Sequence, residues 1–131
     1  MNDRELIKEA KRAARSSYAP YSHFNVGAAL ITKDGKVYRG CNIENAAYSP
    51  TNCAERTAFF KAVSEGEREF SAIAIVGGKN LDFACFCTPC GVCRQVMSEF
   101  CGADFKIILG RNDEEVKVYT LKELLPLSFN L

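Results

Sequence analysis

Two short stretches limit what this chain can fold into. Thr51-Asn52-Cys53-Ala54-Glu55-Arg56 sets a soft metal ligand two residues before a carboxylate at a predicted helix start. Further along, Thr88-Pro89-Cys90-Gly91-Val92-Cys93 opens a second predicted helix with two more thiols. Three sulfurs on one metal ion leave a coordination place open, which is the form of a catalytic rather than a structural site. The fold must then bring two helix starts together.

The rest of the chain supplies a frame that can do so. Leu6, Ile7, Ala10, Ala13 and Ala14 fall at helical spacing opposite charged residues, which predicts an amphipathic helix over residues 3–17. Val26 to Ile31 reads as a strand, joined through Lys33-Asp34-Gly35 to a second strand at Lys36–Cys41. The Asn-, Ser- and Pro-rich stretch from Asn42 to Asn52 lacks periodicity and reads as a functional loop leading into Cys53. From Cys53 to Ser64 a helix with few charges should be largely buried.

The apolar run Ser71–Val76 suits a central strand covered on both faces, ended by Gly77-Gly78. After the loop 78–89, Pro89 suits a first helical turn, and Cys93, Val96, Met97, Phe100 and Cys101 form one stripe that stops at Gly102. Phe105–Leu109 and Val116–Thr120 read as strands whose short link makes them antiparallel, and Leu121–Leu125 as a terminal helix. The succession α-β-β-α-β-α-β-β-α, without repeats or linkers, predicts one α/β domain over residues 1–131. Its architecture is a three-layer α-β-α sandwich around a five-stranded mixed sheet. Two β-α-β crossovers put both cysteine-bearing helix starts at one edge.

A chain of 131 residues, 47% apolar and 25% charged, is long enough to bury a core as one domain. Its formal charge of +1 arises from dispersed charges and leaves no footprint for nucleic acid or an anionic membrane, so a small neutral partner fits better. The charged start and the lack of a long apolar run argue for the cytoplasm. In that reducing compartment clustered thiols more often bind metal than pair.

Cys90 and Cys93, three residues apart, share one side of a helical turn, and a thiolate at Cys53 on a neighbouring helix completes a tripod for Zn²⁺. Three thiolates give the site a net negative charge, which two helix N-termini and Arg56 can offset. The open position of such an ion acidifies a bound water, although thiolates weaken that effect relative to histidine. Glu55, on a buried turn beside a ligand, is placed as the proton shuttle, with a pKa raised by burial.

This ligand-x-Glu followed by Pro-Cys-x-x-Cys is the pattern of the zinc nucleobase deaminases. Cys53-Ala54-Glu55-Arg56 with Pro89-Cys90-Gly91-Val92-Cys93-Arg94-Gln95 resembles the small homotetrameric cytidine deaminases. The likeness extends to Tyr21-Ser22-His23-Phe24-Asn25-Val26-Gly27-Ala28-Ala29 and to Gly40-Cys41-Asn42-Ile43-Glu44-Asn45-Ala46-Ala47-Tyr48-Ser49, and so covers nearly the full chain. The resemblance implies one zinc per subunit on Cys53, Cys90 and Cys93, attack of the activated water at C4 of cytidine or deoxycytidine, and Glu55 carrying protons to the ring and the leaving amine. Arg56 then hydrogen-bonds the ligand sulfurs. The same resemblance assigns Asn42 and Glu44 to the ribose hydroxyls, Phe24 to packing beside the nucleoside and Ala54 to the substrate pocket. It places Ala46 to Tyr48 at a site shared between subunits of a homotetramer, and gives Phe129 as a base-stacking residue from a neighbour. The work so implied is pyrimidine salvage.

The carboxy end, Leu124-Leu125-Pro126-Leu127-Ser128-Phe129, keeps the family's aromatic but not the Gly-Ala before it, and Cys85 and Cys87 stand where the family has no thiols. Two other readings follow. Cys85, Cys87, Cys90 and Cys93 can close a four-thiolate structural zinc site, which leaves Cys53 and Glu55 without a role. Outside the metal set, Cys41, Cys85, Cys87 and Cys101 read as small apolar fillers, and His23 as a solvated side chain. Among enzymes, the blasticidin-S deaminases share both zinc motifs, and the loop Asn42 to Tyr48 favours an unmodified nucleoside over their substrate.

Overall fold

The computed structural model describes all 131 residues. Helix α1 (Asp3–Ala14) starts at Asn2, whose side chain accepts from the Glu5 N–H at 2.9 Å while the Glu5 carboxylate accepts from the Asn2 N–H at 3.2 Å. Leu6, Ile7, Ala10, Ala13 and Ala14 form its buried stripe. The helix ends at Ala14 and not at residue 17. The amides of Ser16 and Ser17 bond only three residues back, to Ala13 and Ala14, and the Ser17 hydroxyl also donates to the Ala14 carbonyl at 2.7 Å.

Strands β1 (Phe24–Thr32) and β2 (Val37–Cys41) form the hairpin, followed by α2 (Ala54–Ser64), β3 (Phe70–Lys79), α3 (Gly91–Phe100), β4 (Lys106–Gly110), β5 (Val116–Thr120) and α4 (Leu121–Leu124). The five strands make one mixed sheet in the order β2-β1-β3-β4-β5, parallel only between β3 and β4. The expected element order and sheet are therefore present, with β3 at the centre. That strand runs through Gly77 and Gly78, which pair with Val26 and Asn25 of β1. The glycines are there for close approach rather than to end the strand: a Cβ on Gly78 would lie 1.8 Å from the Asp82 carbonyl oxygen.

Alternate residues of each strand serve opposite faces. Ala29, Ala72, Ala74, Val76 and Ile108 pack under α1, and Ala28, Leu30, Ile73, Ile75, Ile107 and Leu109 pack under α2 and α3. The connections β2-α2-β3 and β3-α3-β4 step in the same direction along the sheet. Right-handed crossovers that step the same way place their helices on one face. Both helices then begin near the carboxyl ends of the strands they follow, the usual place for a site in such sheets. Phe59 of α2 anchors this layer, its ring centroid 5.1 Å from Phe70, 6.0 Å from Phe105 and 6.2 Å from Phe100. α2 is less enclosed than its composition suggests, because only one side of it meets the sheet: Phe60 is 49% exposed. No helix is long and apolar enough to cross a membrane.

The opposite layer depends on close contact between α1 and β1. A Cβ on Gly27 would lie 1.9 Å from the Ala10 carbonyl oxygen and 2.6 Å from the Ala14 nitrogen, both backbone atoms that cannot swing away. Gly27→Ala should therefore cost about 2–3 kcal/mol, read as a lower denaturation midpoint at unchanged slope. An unchanged midpoint would mean that α1 moves off the sheet freely.

Candidate metal and catalytic site

Cys53 is the N-cap of α2 and Cys90 the N-cap of α3, with Cys93 in the first turn of α3. Neither N-cap thiol bonds a helix amide, so both sulfurs are free to point elsewhere. They converge. The Sγ atoms of Cys53 and Cys90 are 3.8 Å apart, those of Cys90 and Cys93 3.5 Å, and all three lie within 4.8 Å of one another. Tetrahedral zinc with bonds of about 2.3 Å needs sulfurs about 3.8 Å apart, so the donor set fits one zinc ion. These three form the one metal-ready group of His, Cys, Asp and Glu side chains.

Burial grades across the corner. Cys93 is buried, Cys53 half-buried and Cys90 exposed. In the metal-free chain, Cys53 is pulled down to about 5, first because it accepts a hydrogen bond from the Cys93 thiol and then because Arg56 lies beside it. Cys93 is pushed well above the ordinary thiol value by that same bond and by burial. Arg56 Nη2 donates to the Cys53 sulfur at 3.2 Å, and this contact holds the guanidinium more firmly protonated than usual. Its buried Nε has no hydrogen-bond partner, so the side chain stays desolvated mainly for the sulfurs. Arg56→Gln should lower zinc affinity or kcat about tenfold, measured by chelator competition and by steady-state rate. An enzyme unchanged in both would refute the charge argument.

Glu55, at the second position of α2, is only 4% exposed. Burial is the main reason its carboxyl is raised to about 7, with the Cys53 charge adding to the rise and Arg56 opposing it. The carboxyl can accordingly hold or release a proton near neutral pH.

Phe24 at the start of β1 and Cys87 in the loop before α3 meet over Gly77. A Cβ there would be 3.1 Å from the Phe24 ring and 2.7 Å from the Cys87 sulfur. Asn42 is tied to the same strand, its Oδ1 accepting from the Val26 N–H at 2.9 Å and its Nδ2 donating to the Phe24 carbonyl at 2.8 Å. Glu44 accepts from the Tyr21 and Ser22 amides at 2.9 and 3.2 Å and from the Ser22 hydroxyl, and the hydroxyl leads in holding its carboxyl below the ordinary value. Each side chain keeps spare capacity: one amide hydrogen on Asn42 and one lone-pair site on Glu44. Glu44 also lines a hollow with Tyr21, Asn45, Tyr48 and Thr51. Ala54 is fully buried, whereas Ala46, Tyr48 and Phe129 stand in solvent on a single chain, Tyr48 79% and Phe129 66% exposed.

The extra thiols divide. Cys87 and Cys101 are pushed up to about 12, chiefly by burial, and Cys41 is also raised by burial; all three suit a filler role. Cys85 is exposed and is not a filler. Sequence reasoning missed Arg94, whose Nε donates to the Pro89 carbonyl at 2.8 Å and Nη1 to the Leu124 carbonyl at 2.7 Å, fixing the turn that carries Cys90. It also missed Ser22, which orders Glu44. The positions of Arg94 after Cys93 and Ser22 before Phe24 gave no sign of these partners, which are distant in the chain.

Three thiols gathered for one ion beside a buried carboxyl define a metal-dependent hydrolytic centre. The family described as "Cytidine and deoxycytidylate deaminase zinc-binding region" matches residues 1–109. A cytidine deaminase of Halalkalibacterium halodurans is 54% identical over 98% of this chain and 95% of its own length. The crystal structure of a cytidine deaminase from Burkholderia pseudomallei superposes with a TM-score of 0.91 at 48% identity, over 98% of this chain and all of that one. A blasticidin-S deaminase of Bacillus cereus is 33% identical over 97% of this chain and 91% of its own. The chain belongs to the cytidine and deoxycytidylate deaminase family of zinc enzymes.

Proposed function

We propose that this enzyme hydrolyses cytidine, and deoxycytidine with it, to uridine or deoxyuridine and ammonia, with residues 1–131 working as one domain. The observation that carries the reading is the Glu55 carboxyl, buried beside Cys53, Cys90 and Cys93 and balanced near neutrality. Zinc held by those three sulfurs supplies Lewis acidity and activation of the hydrolytic water. Glu55 accepts a proton from that water and passes protons to the ring N3 and to the departing amine. The balance is one water consumed and one ammonia released. Burial keeps bulk water from competing for those protons.

Arg56 offsets thiolate charge, while Asn42 and Glu44 receive the sugar hydroxyls with the donor and acceptor sites their backbone bonds leave free. Phe24 packs beside the nucleoside, and Ala54 floors the pocket. Ala46, Tyr48 and Phe129 complete a neighbouring subunit's site in a homotetramer; their exposure on one chain supports this. The enzyme serves pyrimidine salvage in the cytoplasm, where seven unpaired thiols are chemically at home.

The test is to quantify zinc per chain and follow loss of cytidine absorbance with and without a chelator. Ammonia release from neither nucleoside would sink the assignment. The likeness to a blasticidin-S deaminase supports a second reading, a modified cytosine nucleoside. A markedly higher kcat/KM for blasticidin S than for cytidine would establish that reading instead.

A further inference from the structure

The loop that delivers Cys90 is held in an unusual way. Up to Phe83 it is tied by hydrogen bonds: the Asn80 amide donates to the His23 carbonyl at 2.8 Å, and the Leu81 amide to Asn25 Oδ1 at 3.1 Å. Asn112, between β4 and β5, then clasps Phe83, accepting from its amide at 3.1 Å and donating to its carbonyl at 2.8 Å. Beyond that point the backbone bonds stop. No backbone amide or carbonyl from Ala84 to Thr88 makes a hydrogen bond, and the next anchored group is the Pro89 carbonyl, held by Arg94. Side chains alone must fix this stretch.

Two of them do. Phe86 lies between two cations, with the Arg111 guanidinium carbon 4.7 Å and the Lys117 ammonium 4.8 Å from its ring centroid. Both distances are within cation–π range. Arg111 is itself held, by Asp113 at 2.9 Å and Glu115 at 2.9 Å, so the cation is positioned before it meets the ring. Cys87, the next residue, seats its sulfur over Gly77. Displacing Phe86 therefore frees Cys87 as well, and leaves the approach to Cys90 tied only at the Pro89 carbonyl held by Arg94.

We propose that Phe86, gripped by Arg111 and Lys117 of the β4–β5 hairpin, is a positioning residue for the Cys90 ligand, so that this hairpin sets how tightly the enzyme holds zinc. The proposal rests on Cys53, Cys90 and Cys93 being the zinc site. Phe86 acts through the loop and touches none of the reacting atoms. Cys93 sits on a buried helical turn and Cys53 on a separate helix, so the loss falls on Cys90, the exposed thiol of the three.

The test uses Phe86→Leu, which keeps apolar bulk and removes the ring, and Arg111→Met, which removes the cation at similar length. Each full-length zinc enzyme is challenged with a chromophoric chelator to read affinity and release rate, and the metal-free melting temperature is recorded alongside. The expected result is zinc affinity about tenfold weaker in both variants, with metal-free melting close to wild type. Unchanged zinc affinity overturns the proposal, and so does a fall in metal-free melting that accounts for the whole effect. If Cys53→Ala keeps wild-type zinc, the site reading itself fails and the proposal falls with it. Phe86→Tyr, which retains a π-face, should restore wild-type affinity.

Discussion

Glu55→Gln should reduce kcat by about 10²–10⁴-fold while zinc stays bound, because the amide fills the same space but cannot carry a proton. The same substitution has a second effect, opposite in sign and independent of catalysis. In the metal-free chain the Glu55 carboxyl is held at about 7 against an ordinary value of 4.5. Below pH 4.5 it is protonated whether the chain is folded or not, and burial of the neutral acid carries no ionic cost. Between 4.5 and 7 the unfolded chain ionises first, so folding becomes progressively harder; above 7 the loss is complete. At about 1.4 kcal/mol per pH unit that loss is about 3 kcal/mol. Gln lacks the term. The stability of metal-free Glu55→Gln relative to wild type should therefore grow from pH 4.5 to pH 7.5, followed by denaturant melts across that range. A relative stability that stays flat with pH would show the carboxyl to be solvated. A kcat near wild type would remove Glu55 from the mechanism whatever the melts show.

Much of this was legible because local pattern and global fold agree. Val26 to Ile31, read as a strand, and the continuous apolar run at Ala72 to Val76, read as a central strand, both occupy those places, each with residues packed on both faces of the sheet. The thiol corner was legible for a different reason. Cys90 and Cys93 are linked by helical geometry, and Cys53 needed only the right-handed crossover that β-α-β connections almost always make. What periodicity misjudged were features decided by distant contacts. Gly77 and Gly78 look like a strand end, yet they are where the 80s loop and Phe24 press onto β3. Phe60 looks buried by composition, but its helix has the sheet on one side only. Asn42 and Glu44 were assigned to substrate, while the structure shows each already bonded to backbone, a cost no spacing rule reveals.

Replacing Cys53 by alanine should strip the enzyme of zinc and of activity without unfolding it. The helix loses nothing at its start, since the Cys53 side chain makes no capping bond. The metal loses the ligand that Arg56 steadies as a thiolate, the guanidinium donating to the Cys53 sulfur at 3.2 Å. Zinc sites worth about 10–16 kcal/mol in all spread over four ligands imply about 2.5–4 kcal/mol for one, so affinity should fall about a hundredfold or more. Arg56 then loses its contact with the Cys53 sulfur, and its Nη2 joins the already orphaned Nε. That should cost about 1–3 kcal/mol of stability. Equilibrium dialysis against a zinc buffer reads the affinity, and the comparison that gives it meaning is Cys85→Ser. Cys85 is exposed and plays no part in seating the loop, so this variant should keep its zinc. If the order reversed, with full occupancy in Cys53→Ala and loss in Cys85→Ser, the metal would belong to a structural knuckle of four neighbouring thiols. The carboxyl at position 55 would then have no metal to serve.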